Sequence, residues 1–211
     1  MKFKVYFIVL ICLFTTFSMV SQQDILSKQE SEILRENIIE KSKNTSSIRS
    51  DFVQYKHLDF LSNDIKSSGN LVFKAPDMIK WEYQDPFDYI VIFKDKKLHI
   101  NDSGTTSKID LSSSKTFESL NGLIIKSVTG DMFDDDKFEI TYFYNEANYI
   151  VKFRPLDKAL RSFINEFVLH FDKNSLDVIE LKMIESSEDY TLISFLNQKF
   201  NESISNEVFN N

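Results

Sequence analysis

Most of the chain alternates apolar and polar residues with a period of two, the spacing of a β-strand whose two faces meet different surroundings. The alternation begins at residue 48, after a polar stretch at 44–47, and turn residues interrupt it at short intervals. Short links of this kind join antiparallel neighbours. The predicted strands are 48–55, 65–74, 78–83, 88–93, 98–101, 107–111, 137–144, 149–154, 165–171, 178–185 and 190–196.

Two segments instead have the 3.6-residue period of an amphipathic helix. The first covers 24–42 and carries Ile33 and Leu34 on its apolar side, and the second covers 114–129 and ends before Gly130. No shift in composition divides the chain, so one domain is expected. The fold class predicted from these elements is mainly β (α+β), with an antiparallel sheet of ten or eleven strands that curls on itself.

The first residues have the anatomy of a secretory signal peptide. Two lysines lie within 1–4, an apolar run covers 5–14, and small and polar residues follow. The run is too short to span a bilayer, although a retained membrane anchor is the alternative. The sequence therefore predicts a signal peptide at 1–21, a single domain at 22–211 and export to the periplasm. Cys12, the only cysteine, would be lost with the leader, since Ile11 before it does not fit a lipoprotein signal.

Composition and charge exclude several classes of function. The formal net charge is −7, which repels a phosphate backbone, so no nucleic-acid partner is expected. Four glycines are too few and too scattered for a phosphate-binding loop. His57, His99 and His170 stand apart, and Asp134–Asp136 lacks the ligand spacing of a calcium loop. A tri-histidine site formed in space is the alternative. We expect no catalytic residues, no metal and no cofactor, and hence no enzyme.

The positive signal is an aromatic and apolar set on one face of the predicted strands. Periodicity alone favours a packed core, because alternating apolar residues usually fill the interior. A ten-stranded sheet closed into a barrel, however, has an interior that side chains need not fill, which favours a ligand cavity. The members of the set are Leu71, Phe73, Ile79, Trp81, Tyr83, Tyr89, Val91 and Phe93.

The same region resembles a known family. The run at 68–86 has a Gly, an apolar strand that ends at a Pro, a strand with a Trp and a turn with a second Pro. Phe52-Val53-Gln54 resembles the Phe-x-Gln strand of that family, and 191–197 with 201–204 resembles its final strand and closing segment. These features resemble LolA, the periplasmic outer-membrane lipoprotein carrier family, in its Bacteroidetes-type form.

The resemblance implies an incomplete antiparallel β-barrel with a helical lid, whose apolar cavity shields acyl chains. Such a carrier is a monomer that takes acylated lipoproteins from an inner-membrane ABC transporter to an acceptor in the outer membrane, which the sequence does not identify. Phe52 joins the apolar set as a cavity residue. The lid residues implied are Ile33, Leu34, Ile124, Ile125 and Val128.

One position departs from the family. Ala75 stands where well-known members have an Arg that ties the lid, so we expect closure to depend mainly on apolar contacts. Three other functions stay open: a carrier of another apolar cargo such as free lipid or pigment, a sensor domain that binds a protein partner, and, more remotely, a secreted hydrolase.

Overall fold

A computed structural model describes residues 23–110 and 132–210. The predicted signal peptide lies outside the described residues, and so does the predicted helix at 114–129. The proposed lid residues Ile124, Ile125 and Val128 belong to that second segment.

Twelve strands and two α-helices form the described part of the chain. The eleven predicted strands are present, and a twelfth of two residues precedes them. Helix α1 is Lys28–Lys43, and the single-turn helix α2, Lys158–Arg161, was not predicted. The strands are β1 Asp24–Ile25, β2 Ser47–His57, β3 Ile65–Lys74, β4 Met78–Asp85, β5 Tyr89–Lys94, β6 Lys97–Asp102, β7 Thr105–Asp110, β8 Phe138–Tyr144, β9 Asn148–Pro155, β10 Ile164–Asp172, β11 Val178–Glu185 and β12 Tyr190–Phe200.

All twelve strands belong to one antiparallel sheet. Its order is β1-β8-β9-β10-β11-β12-β2-β3-β4-β5-β6-β7, so within the described residues β7 and β1 form its two edges and the sheet does not close. The two halves of the chain meet in the middle, where β12 pairs with β2 from Tyr190↔His57 to Phe200↔Ile48. The predicted incomplete antiparallel barrel is confirmed, with twelve strands instead of ten or eleven.

The first helix begins four residues later than predicted. Ser27 is its N-cap, and a capping box joins the Ser27 side chain and backbone to Glu30. Asp24 and Ile25 instead pair with Tyr144 and Phe143 as strand β1. The helix prediction included Ile25 because a single apolar residue fits the period of a helix as well as that of a strand. In the structure Ile25 is 75% exposed.

The main core lies on one face of the sheet, here called the inner face, and α1 packs against it. Leu34 and Ile38 of the helix are buried among aromatic and aliphatic side chains from β2, β3, β4, β9, β10, β11 and β12. Because the cross-strand partners of an antiparallel sheet point to the same side, one alternating set from each strand builds this core.

A smaller core lies on the opposite, outer face and explains three apolar residues that break the alternation. Val72 and Ile92 are buried there, with Ile90 partly buried beside them. The C-terminal segment covers them with Ile204 and with Phe209, which ends a 3-10 turn at Asn206–Phe209. The chain end therefore acts as a second layer over β3, β4 and β5.

We expect Phe209→Ala to lower the free energy of unfolding by about 3–5 kcal/mol, because Phe209 is 3% exposed and its loss leaves a cavity. Phe60→Ala is the matched control, since Phe60 is 79% exposed, and it should change stability by less than about 0.5 kcal/mol. Urea unfolding of both variants measures the difference. Equal effects would show that the C-terminal segment does not cover the outer face in solution.

Candidate ligand-binding cavity

An apolar cavity lies on the inner face between β4, β5 and β6 on one side and β2, β11 and β12 on the other. Its volume is about 300 Å³, and it is partly open to solvent. That volume is at the small end of the roughly 300–1,000 Å³ of ordinary small-molecule sites. The lining residues are Gln54, Ile79, Trp81, Tyr83, Val91, Phe93, Leu98, Met183, Thr191 and Ile193.

Five of the nine predicted cavity residues line this space, namely Ile79, Trp81, Tyr83, Val91 and Phe93. They come from two neighbouring strands in direct register, with Ile79 opposite Phe93, Trp81 opposite Val91, and Tyr83 opposite Tyr89. Pairing and alternation therefore bring them together as the sequence predicts.

The other four predicted residues lie beside the cavity. Phe52, Leu71 and Phe73 are buried in the main core. Phe52 supports the cavity wall directly, because its ring makes edge contacts with Trp81 at 4.8 Å and Tyr83 at 5.0 Å between centroids. Tyr89 is partly buried, 6.1 Å from Tyr83.

The opposite wall was missed. Met183, Thr191 and Ile193 come from β11 and β12, about one hundred residues after the predicted set. Both strands were predicted, and the inward residue of each pair could be read from alternation. Their proximity to Trp81 depends on the pairing of β12 with β2, and no local pattern shows that pairing.

A polar contact lies within the cavity wall. The Tyr83 hydroxyl donates to Oε1 of Gln54 over 3.1 Å. Burial in apolar surroundings disfavours the phenolate and raises the pKa of Tyr83 to about 12. Tyr83 therefore stays protonated at physiological pH and holds the orientation of the Gln54 amide, with its nitrogen directed away from Tyr83.

Gly69 allows the sheet to bend beside this wall. It pairs with both Phe52 and Tyr83, next to a register shift at Ser68. A Cβ atom at this position would lie 1.9 Å from the carbonyl oxygen of Glu82. This oxygen belongs to the backbone of β4 and cannot rotate away, so any residue other than glycine would clash. The glycine of the family-like run thus permits close approach of β3 and β4.

Helix α1 is held to the sheet by charges as well as by apolar contacts. Leu34 is buried, whereas Ile33 is 51% exposed, so only Leu34 of the two proposed lid residues in α1 packs into the core. Arg35 donates to the carbonyl oxygen of Phe133 over 2.6 Å and to Asp135 over 2.5 Å. The expectation of mainly apolar closure therefore omitted a polar attachment of the helix.

A second ion pair holds the C-terminal end of the helix. The Lys41 ammonium lies 2.5 Å from Asp177 and also donates to the carbonyl oxygen of Ser175. The two attachments hold α1 to the segments just before β8 and just before β11.

Lys74 and Lys80 are the two lysines nearest in sequence to Ala75, which replaces the arginine of the family. Both lie on the outer face, as the alternation of the strands predicts. Lys74 donates to the carbonyl oxygen of Ile204 over 2.7 Å and to Asn206 over 2.6 Å. Lys80 pairs with Glu82 at 3.0 Å. Both hydrogen-bond partners of Lys74 belong to the C-terminal segment, so Lys74 ties that segment to the outer face.

No set of three His, Cys, Asp or Glu side chains within residues 23–110 and 132–210 is arranged to hold a metal ion. The histidines are apart: His57 contacts Asp64 at 2.7 Å, His170 lies 3.8 Å from Glu180, and His99 is on β6. Over the same residues, no helix has the length and apolar content to cross a membrane.

An open antiparallel sheet, with a helix across its inner face and an apolar cavity beside that helix, defines a β-class binding fold. The sequence identifies the family. Residues 43–211 match the family described as "Outer membrane lipoprotein carrier protein LolA", and the chain belongs to that family. No curated protein matches the sequence.

Solved structures are similar to this chain at low sequence identity. An uncharacterized conserved protein from Thermus thermophilus is 6% identical with a TM-score of 0.52, over 85% of this chain and 92% of that one. The MucA/MucB complex of Pseudomonas aeruginosa gives 10% identity and a TM-score of 0.50, over 86% of this chain and 61% of that one. The LolA superfamily protein NE2245 from Nitrosomonas europaea is 9% identical with a TM-score of 0.45, over 84% of this chain and 97% of that one.

The raised pKa of Tyr83 predicts how stability depends on alkaline pH. Below pH 10 the phenol is protonated in both states, so it contributes no pH dependence. Between about pH 10 and 12 the unfolded chain loses this proton and the folded protein retains it. We therefore expect the free energy of unfolding to fall with rising pH, with Tyr83 contributing up to about 1.4 kcal/mol per pH unit.

Urea unfolding of the parent protein and of Tyr83→Phe at several pH values from 9 to 12 measures this contribution. The variant should lose stability less steeply across the interval. Parallel curves would mean that the phenol is not buried in solution.

Proposed function

We propose that this protein is a periplasmic carrier that shields the acyl chains of lipoproteins and moves them from the inner to the outer membrane. The observation that carries the proposal is the apolar cavity, whose wall includes Ile79, Trp81 and Tyr83 from the run by which the sequence resembles the LolA family. An inner-membrane ABC transporter would load the carrier, and an outer-membrane acceptor would receive the cargo.

The energetics of acyl chains make a shielding cavity necessary. Each methylene exposed to water costs about 0.8 kcal/mol, so one long chain costs on the order of 10 kcal/mol. The wall of Trp81, Phe93, Leu98 and Ile193 offers apolar contacts in place of water. The cavity volume of about 300 Å³ suits part of one acyl chain, so a further chain requires the cavity to widen.

Export is part of the same proposal. A lipoprotein carrier works between two membranes, and the predicted leader at 1–21 supplies the route. We expect N-terminal sequencing of the protein from its own envelope fraction to find a start near residue 22. An intact Met1, or a lipid attached to Cys12, would contradict this.

A second candidate function is binding of a protein partner, as in the sensor alternative. Phe60 and Phe87 are 79% and 58% exposed, and they lie in the neighbouring loops after β2 and β4, at the same end of the sheet. Exposed aromatic side chains of this kind are enriched in protein interfaces. The structurally similar MucB was solved in complex with MucA, so this fold accommodates a protein partner in that case.

We expect Val91→Phe to weaken binding of an acyl probe by about tenfold or more, because the larger side chain fills space that two or three methylenes would otherwise occupy. Val91 is only partly buried, so the change should leave the fold intact. Titration with 11-(dansylamino)undecanoic acid, followed by fluorescence, measures the affinity. A charge at Ile79 would be a less specific test, because Ile79 is 2% exposed and supports the core as well.

Val53→Phe is the matched control. Val53 is on β2 with its side chain on the outer face, where its strand partners are Ser68 and Ser194. The control should bind the probe as the parent does. Equal weakening by both variants, or by neither, would argue against the cavity as the acyl site.

Native mass spectrometry of protein purified from its own envelope distinguishes the cargo classes. An acylated polypeptide as the bound species supports the lipoprotein carrier. A free lipid or pigment would select the other apolar cargo, and a polypeptide without acyl groups would select the partner-binding function.

A further inference from the structure

The cavity is apolar through most of its depth and polar at one end. Gln54 and Thr191 line that end, together with the Tyr83 hydroxyl. Thr191 is 9% exposed, and its hydroxyl makes no hydrogen bond within the part of the chain that the structure describes. The Gln54 nitrogen likewise has no partner there, because Tyr83 donates to the oxygen of that amide.

An ion pair extends the polar end along the same face. Lys56 is the cross-strand partner of Thr191, and Glu185 follows the cavity residue Met183 by two positions on β11. Alternation therefore places both side chains on the inner face. Lys56 pairs with Glu185, and their side chains are 25% and 31% exposed.

Several hydrogen-bond donors of these groups have no partner among the described residues. The Gln54 amide nitrogen has two N–H groups, the Thr191 hydroxyl has one O–H, and the Lys56 ammonium has N–H groups beyond the one that faces Glu185. A ligand that fits them contributes acceptor oxygens. Because Glu185 already balances the charge of Lys56, the cluster is neutral overall and suits a neutral acceptor better than an anion.

We propose that Gln54 and Thr191, with Lys56 beside them, form a subsite for the ester or amide carbonyl that joins an acyl chain to its head group. This inference rests on the proposed function, since the chain itself would occupy the apolar part of the cavity. The ligand class it defines is O-acyl and N-acyl amphiphiles, as opposed to hydrocarbons, ethers and free fatty acids. Apolar burial supplies affinity, and the unpartnered donors supply selectivity.

Two ligands that differ in one carbonyl test the subsite. 1-Dodecanoylglycerol has an ester carbonyl, and 1-dodecylglycerol has the same chain and head group joined by an ether. In calorimetric titrations below the micelle concentration, the parent protein should bind the ester about tenfold more tightly, the effect of one or two hydrogen bonds in a site shielded from water. The double variant Gln54→Leu/Thr191→Val should bind the two ligands about equally.

The ether is also the control for folding, because the double variant should bind it at least as tightly as the parent does. Gln84→Leu/Thr141→Val is the matched control protein, since both of its positions are exposed and outside the cavity. It should keep the preference for the ester. A preference that survives in the cavity variant, or is lost in the control, overturns the assignment.

Dodecanoate tests the charge argument. We expect it to bind more weakly than the ester, and tighter binding of dodecanoate would overturn a carbonyl subsite in favour of an anion site at Lys56. If the parent binds ester and ether equally, the subsite is wrong while the acyl cavity stands. If it binds neither, the cavity fails as an acyl site and the subsite fails with it.

Discussion

The inner face of a single sheet has to serve at once as the core that holds the fold together and as the wall of a cavity. Ordinarily side chains on such a face interdigitate until no space remains. Within residues 23–110 and 132–210, Leu34 and Ile38 of helix α1 complete a packed core, while the part of the face formed by β4, β5 and β6 is less filled. Among the described elements, helix α1 thus belongs to the packed part of this face, and Arg35 and Lys41 fix its position through their contacts with Asp135 and Asp177.

A sheet with a partly empty inner face needs support from elsewhere, and the outer face provides it. Ile204 and Phe209 pack over Val72 and Ile92, directly behind the strands that carry the cavity residues Ile79 and Val91. Apolar burial on this side adds stability without using volume inside. The arrangement lets β4 and β5 remain ordered whether or not a ligand contributes contacts on their inner side.

The fold could be predicted from the sequence to the extent that local pattern decides it. Alternation located eleven strands and put Ile79, Trp81 and Tyr83 on one face. It misassigned Asp24–Ile25, where two residues are too few to show a period. Half of the cavity wall was missed because Thr191 and Ile193 reach it only through the pairing of the last strand with β2. In the sequence the outer core was visible only as exceptions to the alternation at Val72 and Ile92, since the segment that covers it has a single 3-10 turn, too short to show a period.

The division of polarity along the cavity bears on how a carrier releases what it holds. A wholly apolar cavity would gain affinity with every methylene, and a long chain would dissociate too slowly to be passed on. The proposed subsite would change that balance. It would favour one position of the ligand, with its carbonyl at Gln54 and Thr191, and disfavour deeper insertion, which would bury a polar group without a partner. The length of chain that can enter is then set by the distance from those donors to the far wall at Phe93 and Leu98. In the proposed carrier, affinity would then be limited by geometry instead of growing with the length of the acyl chain, which suits loading at one membrane and unloading at another.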